Sequence, residues 1–188
     1  MMERTLVLIK PDGVYRSLIG KIISTMEDAG LKVVGMKMVR PDKKLAEQHY
    51  IPDENWMREI GDKTKATYKD QGVSNNEEPV EIGRRVWMQL IDYLMSGPVA
   101  VMVVEGNDAI FVVRKLVGAT EPRKADPGSI RGRLSSDSYA LADGKHRAVK
   151  NLIHASDAPE TAKREISVWF KPEELIEYSR SDESAQYD

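Results

Sequence analysis

Four strand-sized segments punctuate the chain, the apolar runs Thr5 to Ile9 and Val99 to Val104, the valine- and methionine-rich Leu31 to Arg40, and Val149 to His154, a short strand or extended segment; most of the segments between them carry helical spacing. Lys10-Pro11-Asp12-Gly13 closes the first run with a turn signal. Ser17 to Ala29 then places Leu18, Ile19, Ile22, Ile23 and Met26 on one helical face, with Gly30 as the stop. Pro41-Asp42 opens a helix that ends near Tyr50. From Pro52 to Ser96 the chain turns polar; Ile82, Val86, Leu90 and Leu94 keep helical spacing, and two helices flank a loop at Asn75 to Pro79. Asn107 or Asp108 caps a helix carrying Ile110, Val113, Leu116 and Val117, which Gly118 ends. Residues 119 to 148 have no period and contain Pro122, Pro127, Gly128, Gly132 and Gly144, so they read as a long loop. Asp157 opens the last helix as N-cap, with Pro159 early and Glu160 at N3.

Strand, helix, strand, helices, strand, helix, strand is the order of a split βαβ, ferredoxin-like α+β fold. It predicts a four-stranded, mostly antiparallel sheet with helices on one face, plus a helical insertion. At 188 residues the chain reads as one domain, 1–188, with a polar tail over 179–188.

Composition removes several classes of function. With 41% hydrophobic and 31% charged residues the chain is too apolar for disorder and too charged for a membrane protein. The absence of cysteine excludes disulfides, thiolate metal sites and cysteine nucleophiles, and points to a reducing compartment. The opening Met-Met-Glu-Arg does not read as a signal peptide. A formal charge of −2 argues against a dedicated nucleic-acid binder. Within that balance, Arg114 through Lys150 holds nine basic and four acidic residues, a local +5 that suits an anionic ligand. No P-loop, G-x-G-x-x-G, H-E-x-x-H or EF-hand pattern is present.

Among three histidines, His49 and His146 read as structural or exposed, whereas His154 ends a strand just before a helix N-terminus. A neutral imidazole can accept a phosphoryl group without a separate base. Such a transfer needs cations around the phosphate oxygens, and Lys10, Arg114 and Arg131 lie at element ends or in loops where they could serve.

Lys10, Arg131 and His154 sit in blocks that resemble the nucleoside diphosphate kinase family: Glu3 to Gly13 (ERTLVLIKPDG), Gln48-His49-Tyr50, Ser96-Gly97-Pro98, Pro127 to Gly132, Asn151 to Asp157 and Glu165 to Glu174. The resemblance implies transfer of the γ-phosphate of a nucleoside triphosphate, typically ATP, to a nucleoside diphosphate by a ping-pong route. It implies His154 as the phosphorylated nucleophile, Ser156 and Glu165 holding its ring, and Lys10, Tyr50, Arg114, Thr120, Arg131 and Asn151 on phosphates or ribose. Mg²⁺ would be held chiefly by the nucleotide's own phosphates. The base would stack with little hydrogen-bond readout, on Trp56, while Trp87 reads as helix core.

Three departures from the family pattern stand out. Ala155 replaces the usual glycine after the histidine, and would be strained if that position needs a positive φ. Residues 53–95 form a helical insertion and 133–148 a loop insertion. The second bears on subunit packing, so the implied homo-oligomer could be a hexamer, tetramer or dimer. A cytoplasmic protein with no membrane association is expected. A regulatory or catalytically weak nucleotide-binding module on the same fold is the alternative.

Overall fold

The computed structural model describes residues 2–70, 72–183 and 185. Its sheet comprises β1 (Met2–Ile9), β2 (Lys32–Val39), β3 (Val99–Asn107) and β4 (Ile153–Ala155) in the order β2-β3-β1-β4. All three pairings are antiparallel, and the β1–β4 register sets Leu8 opposite His154.

Helices cover both faces of the sheet, not one. On one face α2 (Ile19–Asp28) and α6 (Ala109–Val117) pack Ile22, Met26, Val113 and Val117 against Val7, Ile9, Met102 and Val104. On the other, α3 (Lys43–His49), α5 (Pro79–Met95) and α9 (Pro159–Trp169) bury Ala46, Ile91, Leu94 and Trp169 against Leu6, Leu8, Val101 and Val103. The cause is legible in the strands. Leu6 through Ile9 and Val99 through Val104 are apolar at every position, and a strand apolar on both sides needs cover on both sides.

Several boundaries differ from the sequence-based expectation. Lys10-Pro11-Asp12-Gly13 is not a bare turn: Pro11 starts the short helix α1 (Pro11–Tyr15). The stretch 119–148 is not unstructured. It holds a 3₁₀ turn (Pro122–Lys124), α7 (Ile130–Leu134) and α8 (Tyr139–Gly144), helices too short to show a period, whose caps are the Ser129 and Ser138 hydroxyls. At α9 the N-cap is Ala158, not Asp157, because Pro159 takes the first helical position. Asp108 occupies the N-cap of α6 in a left-handed conformation and makes no capping hydrogen bond.

The polar region after Tyr50 forms α4 (Glu54–Asp70), which lies against α5. The two backbones touch where Gly61 meets Pro79 and Gly83 meets Met57; a Cβ at Gly61 would stand 1.9 Å from the Pro79 carbonyl oxygen. Only glycine permits that approach, so these two positions hold α4 in place. Beyond α9, the chain runs along the β2 edge: Ile176 N donates to Val34 O, and the Arg180 guanidinium to Leu31 O. Of the 179–188 tail, residues 184 and 186–188 lie outside the described residues.

Candidate active site

β1 ends at Ile9 and β4 is only three residues long, so Lys10 and His154 emerge side by side at one end of the sheet core. They open onto a cavity of about 750 Å³. Lys10, Tyr50, Trp56, Arg114, Thr120, Arg131, Asn151, His154 and Glu165 all line it, brought together from four helices, the loops and the sheet end. Of the candidate residues, only Ser156 stands behind that lining, where its buried hydroxyl donates to Glu165 Oε2 at 2.7 Å.

The histidine is held from below. Its Nε2 lies 2.8 Å from Glu165 Oε2, and the carboxylate can only accept, so Nε2 carries the proton and Nδ1 is the free ring nitrogen. The same carboxylate pairs through Oε1 with Arg164 Nη2 at 3.3 Å. His49 packs against the His154 ring at 4.5 Å between centroids, with Trp169 Nε1 donating to His49 Nδ1. Burial first, then the charges of His154, Lys10 and Arg164, hold the His49 pKa well below its ordinary value, so this ring stays neutral.

Around the nucleophile the cations are fixed. Lys10 Nζ donates to Asn151 Oδ1 at 2.8 Å, and Asn151 Nδ2 donates to Thr120 O at 3.0 Å. Burial, reinforced by the Arg131 charge, lowers the Lys10 pKa to about 7. Arg131 is lowered to about 10 by burial and by Arg114. Its guanidinium donates to Asn151 O, Gly118 O and Ile153 O, which leaves two of its five N–H groups for a ligand. Arg114, in the last turn of α6, is exposed.

The turn that delivers His154 is strained. Leu152 has φ 69°, and Ile153 N bonds Asn151 O at 2.8 Å, closing a three-residue turn that costs a leucine about 1–3 kcal/mol. Ala155, by contrast, lies in β4 opposite Val7 without a positive φ, so the absence of glycine there brings no strain.

The remaining walls come from α4, α5 and α8. Trp56 and Ile60 of α4, Val86, Trp87 and Leu90 of α5, and Ala142 of α8 make them largely apolar. Trp87 does two jobs: it packs on the core and its Nε1 donates to Tyr50 O at 2.7 Å, while an edge of it reaches the cavity. Sequence reasoning missed Arg164 and gave no role to Asp12, whose Oδ2 accepts from Leu152 N at 3.2 Å, and gave His49 no connection to His154. Asp12 and the histidine each carried a signal, the first inside Glu3 to Gly13 and the second as the middle residue of Gln48-His49-Tyr50.

The carboxylates on the cavity, apart from Glu165, are Asp53, Asp143 and Asp157, against a larger set of lysines and arginines. That donor set suits a polyanion better than a bare divalent cation. None of the described helices is long and apolar enough to cross a membrane.

Comparison with known proteins agrees with this geometry. The sequence matches the family model described as nucleoside diphosphate kinase over residues 3–58 and 77–175; the unmatched 59–76 include the second part of α4. A nucleoside diphosphate kinase of Pyrobaculum aerophilum is 46% identical over 181 residues, covering 94% of this chain and 99% of the relative. The crystal structure of an NDP kinase from that organism superposes with a TM-score of 0.91 at 44% identity, covering 94% of this chain and all of the other. A structure from Borrelia burgdorferi, described as a transition-state mimic with bound vanadate and ADP, superposes with a TM-score of 0.81 at 40% identity, over 98% and 96% of the two chains. By sequence, fold and the residues gathered at the cavity, the chain belongs to the nucleoside diphosphate kinase family.

Proposed function

We propose that this protein transfers the γ-phosphoryl group of ATP or another nucleoside triphosphate to a nucleoside diphosphate, with His154 as the relay. The observation that carries this is the His154–Glu165 hydrogen bond, which commits Nε2 and frees Nδ1 on a ring lining a cationic cavity. The Nδ1 lone pair attacks the γ-phosphorus, the bond to the β–γ bridging oxygen breaks, and the diphosphate leaves with that electron pair. No proton need move, because Nε2–H stays on the ring. Positive charge that develops on the imidazole is met by the Glu165 carboxylate 2.8 Å away. A β-phosphate oxygen of the second diphosphate then attacks the phosphohistidine, and Nδ1 is released unchanged.

Lys10, Arg114 and Arg131 would neutralise the phosphates, and Tyr50, Thr120 and Asn151 would orient phosphates and ribose. Trp56 and the apolar walls would take the base by stacking. Mg²⁺ would fit as an ion carried by the phosphates, with Asp157 a cavity carboxylate not engaged with the His154 ring; it would withdraw charge from the transferring group. We read 53–95 and 133–148 as additions to a single domain. A homo-oligomer is supported by the β2 edge, where Met36 and Met38 are exposed. The lack of cysteine favours the cytoplasm.

Initial rates measured with ATP and CDP both varied test the reading. Ping-pong transfer predicts parallel double-reciprocal lines; intersecting lines or no CTP formed would refute the relay.

A further inference from the structure

We infer that Tyr93, near the end of α5, is a positioning residue for the nucleophile: its hydroxyl fixes the Asp12 carboxylate that clamps the strained turn in front of His154. The inference rests on His154 being the phosphoryl acceptor. A buried leucine in a left-handed turn persists only where its surroundings over-determine it. At Leu152 the main chain is held on both sides. Its carbonyl accepts from Lys10 N at 2.8 Å, and its N–H donates to Asp12 Oδ2 at 3.2 Å.

Asp12 itself belongs to no ion pair within 4 Å among the described residues, so the direction of its carboxylate depends on what else bonds it. The Tyr93 hydroxyl does so, donating to Asp12 Oδ1 at 2.5 Å. Tyr93 is only 9% exposed, and its ring lies 5.2 Å from Lys10 Nζ. One side chain from α5 thus meets both the acid that holds the turn and the lysine beside it. Two residues on from Leu152 stands His154, so a carboxylate free to rotate would let Nδ1 wander from the line of attack.

Tyr93→Phe removes the hydroxyl and keeps the ring over Lys10. In single-turnover mixing with Mg·ATP, the rate of His154 phosphorylation should fall about tenfold, the scale of loss that a small misplacement of a reacting group brings. Affinity for ADP should stay within about twofold, since the cation–π contact and every phosphate ligand remain. Asp12→Asn should slow the same step, and the double variant should be no slower than the slower single one, because both act through one hydrogen bond. An unchanged phosphorylation rate would overturn the inference, as would a fall in ADP affinity matching the fall in rate, or multiplicative losses in the double variant. Amide hydrogen exchange at Leu152 in the resting protein reads the clamp without any turnover. It should quicken in Tyr93→Phe, and an unaltered rate there refutes the clamp even if the wild-type protein takes no phosphoryl group.

Discussion

The floor and the walls of the cavity are built on different terms. On the floor, polar groups are spoken for: Lys10 by Asn151, Asn151 by Thr120, His154 and Ser156 by Glu165, Arg131 by three carbonyls. On the walls, Trp56, Ile60, Val86 and Leu90 offer shape and apolar surface. Hydrogen bonds fix direction, which transfer of a phosphoryl group demands; apolar contact fixes only proximity, which a varied base tolerates. Floor changes should therefore act on the chemical step, and wall changes on binding.

Glu165→Gln should break this contrast most strongly at the floor. The amide keeps the shape but loses the charge that faces the imidazole, and kcat should drop about 100-fold, on the scale of removing one preorganised electrostatic partner. Steady-state exchange from ATP to CDP checks it, with KM changing far less. At the wall, Trp56→Ala should raise KM about tenfold, in line with stacking losses of about 1–3 kcal/mol, and by a similar factor for ADP, CDP and UDP. A change confined to one base would show that the wall reads sequence and not shape.

The contrast also predicts a pH effect. With its pKa lowered to about 7, Lys10 is largely neutral in the empty site at pH 8, and a bound polyphosphate should restore its charge. ADP binding at pH 8 should then take up a fraction of a proton, up to one, and affinity should weaken as pH rises through about 7. Calorimetry in buffers of different ionisation enthalpy measures this, and Lys10→Arg should abolish it because arginine stays charged. The smallest effect concerns His49. Its folded-state pKa is lowered, so below about pH 6.5 the unfolded chain binds a proton that the folded one refuses, and stability falls on acidification. The melting temperature of His49→Gln should show a shallower acid limb than that of the wild type.

β1, β2, β3, α2, α5 and α6 are legible in the sequence because each is long enough to show a period or an apolar run, and α3 because Pro41-Asp42 marks its start; β4 is shorter than expected, Ile153–Ala155, because the chain turns at Leu152. α7 and α8 are not legible, since five- and six-residue helices are specified by a serine cap and little else. Helices on both faces could have been read from the unbroken apolar runs of β1 and β3, which leave neither side for solvent. Most members of the site came from the family resemblance and not from spacing, with Trp56, Arg114 and Thr120 outside the matching blocks. The contacts that give the site its chemistry are the least legible: Asp12 meets Tyr93 and Leu152 across 81 and 140 residues, and no local pattern encodes a contact at such a separation.

The central claim is that His154 Nδ1 carries the phosphoryl group between two nucleotides. Incubation with γ-labelled ATP and Mg²⁺, followed by denaturation and peptide mapping, tests it directly. The account predicts an acid-labile, base-stable label on His154 at Nδ1 that is discharged by added CDP. Label on another residue, label that persists in His154→Ala, or label that CDP cannot remove would contradict it.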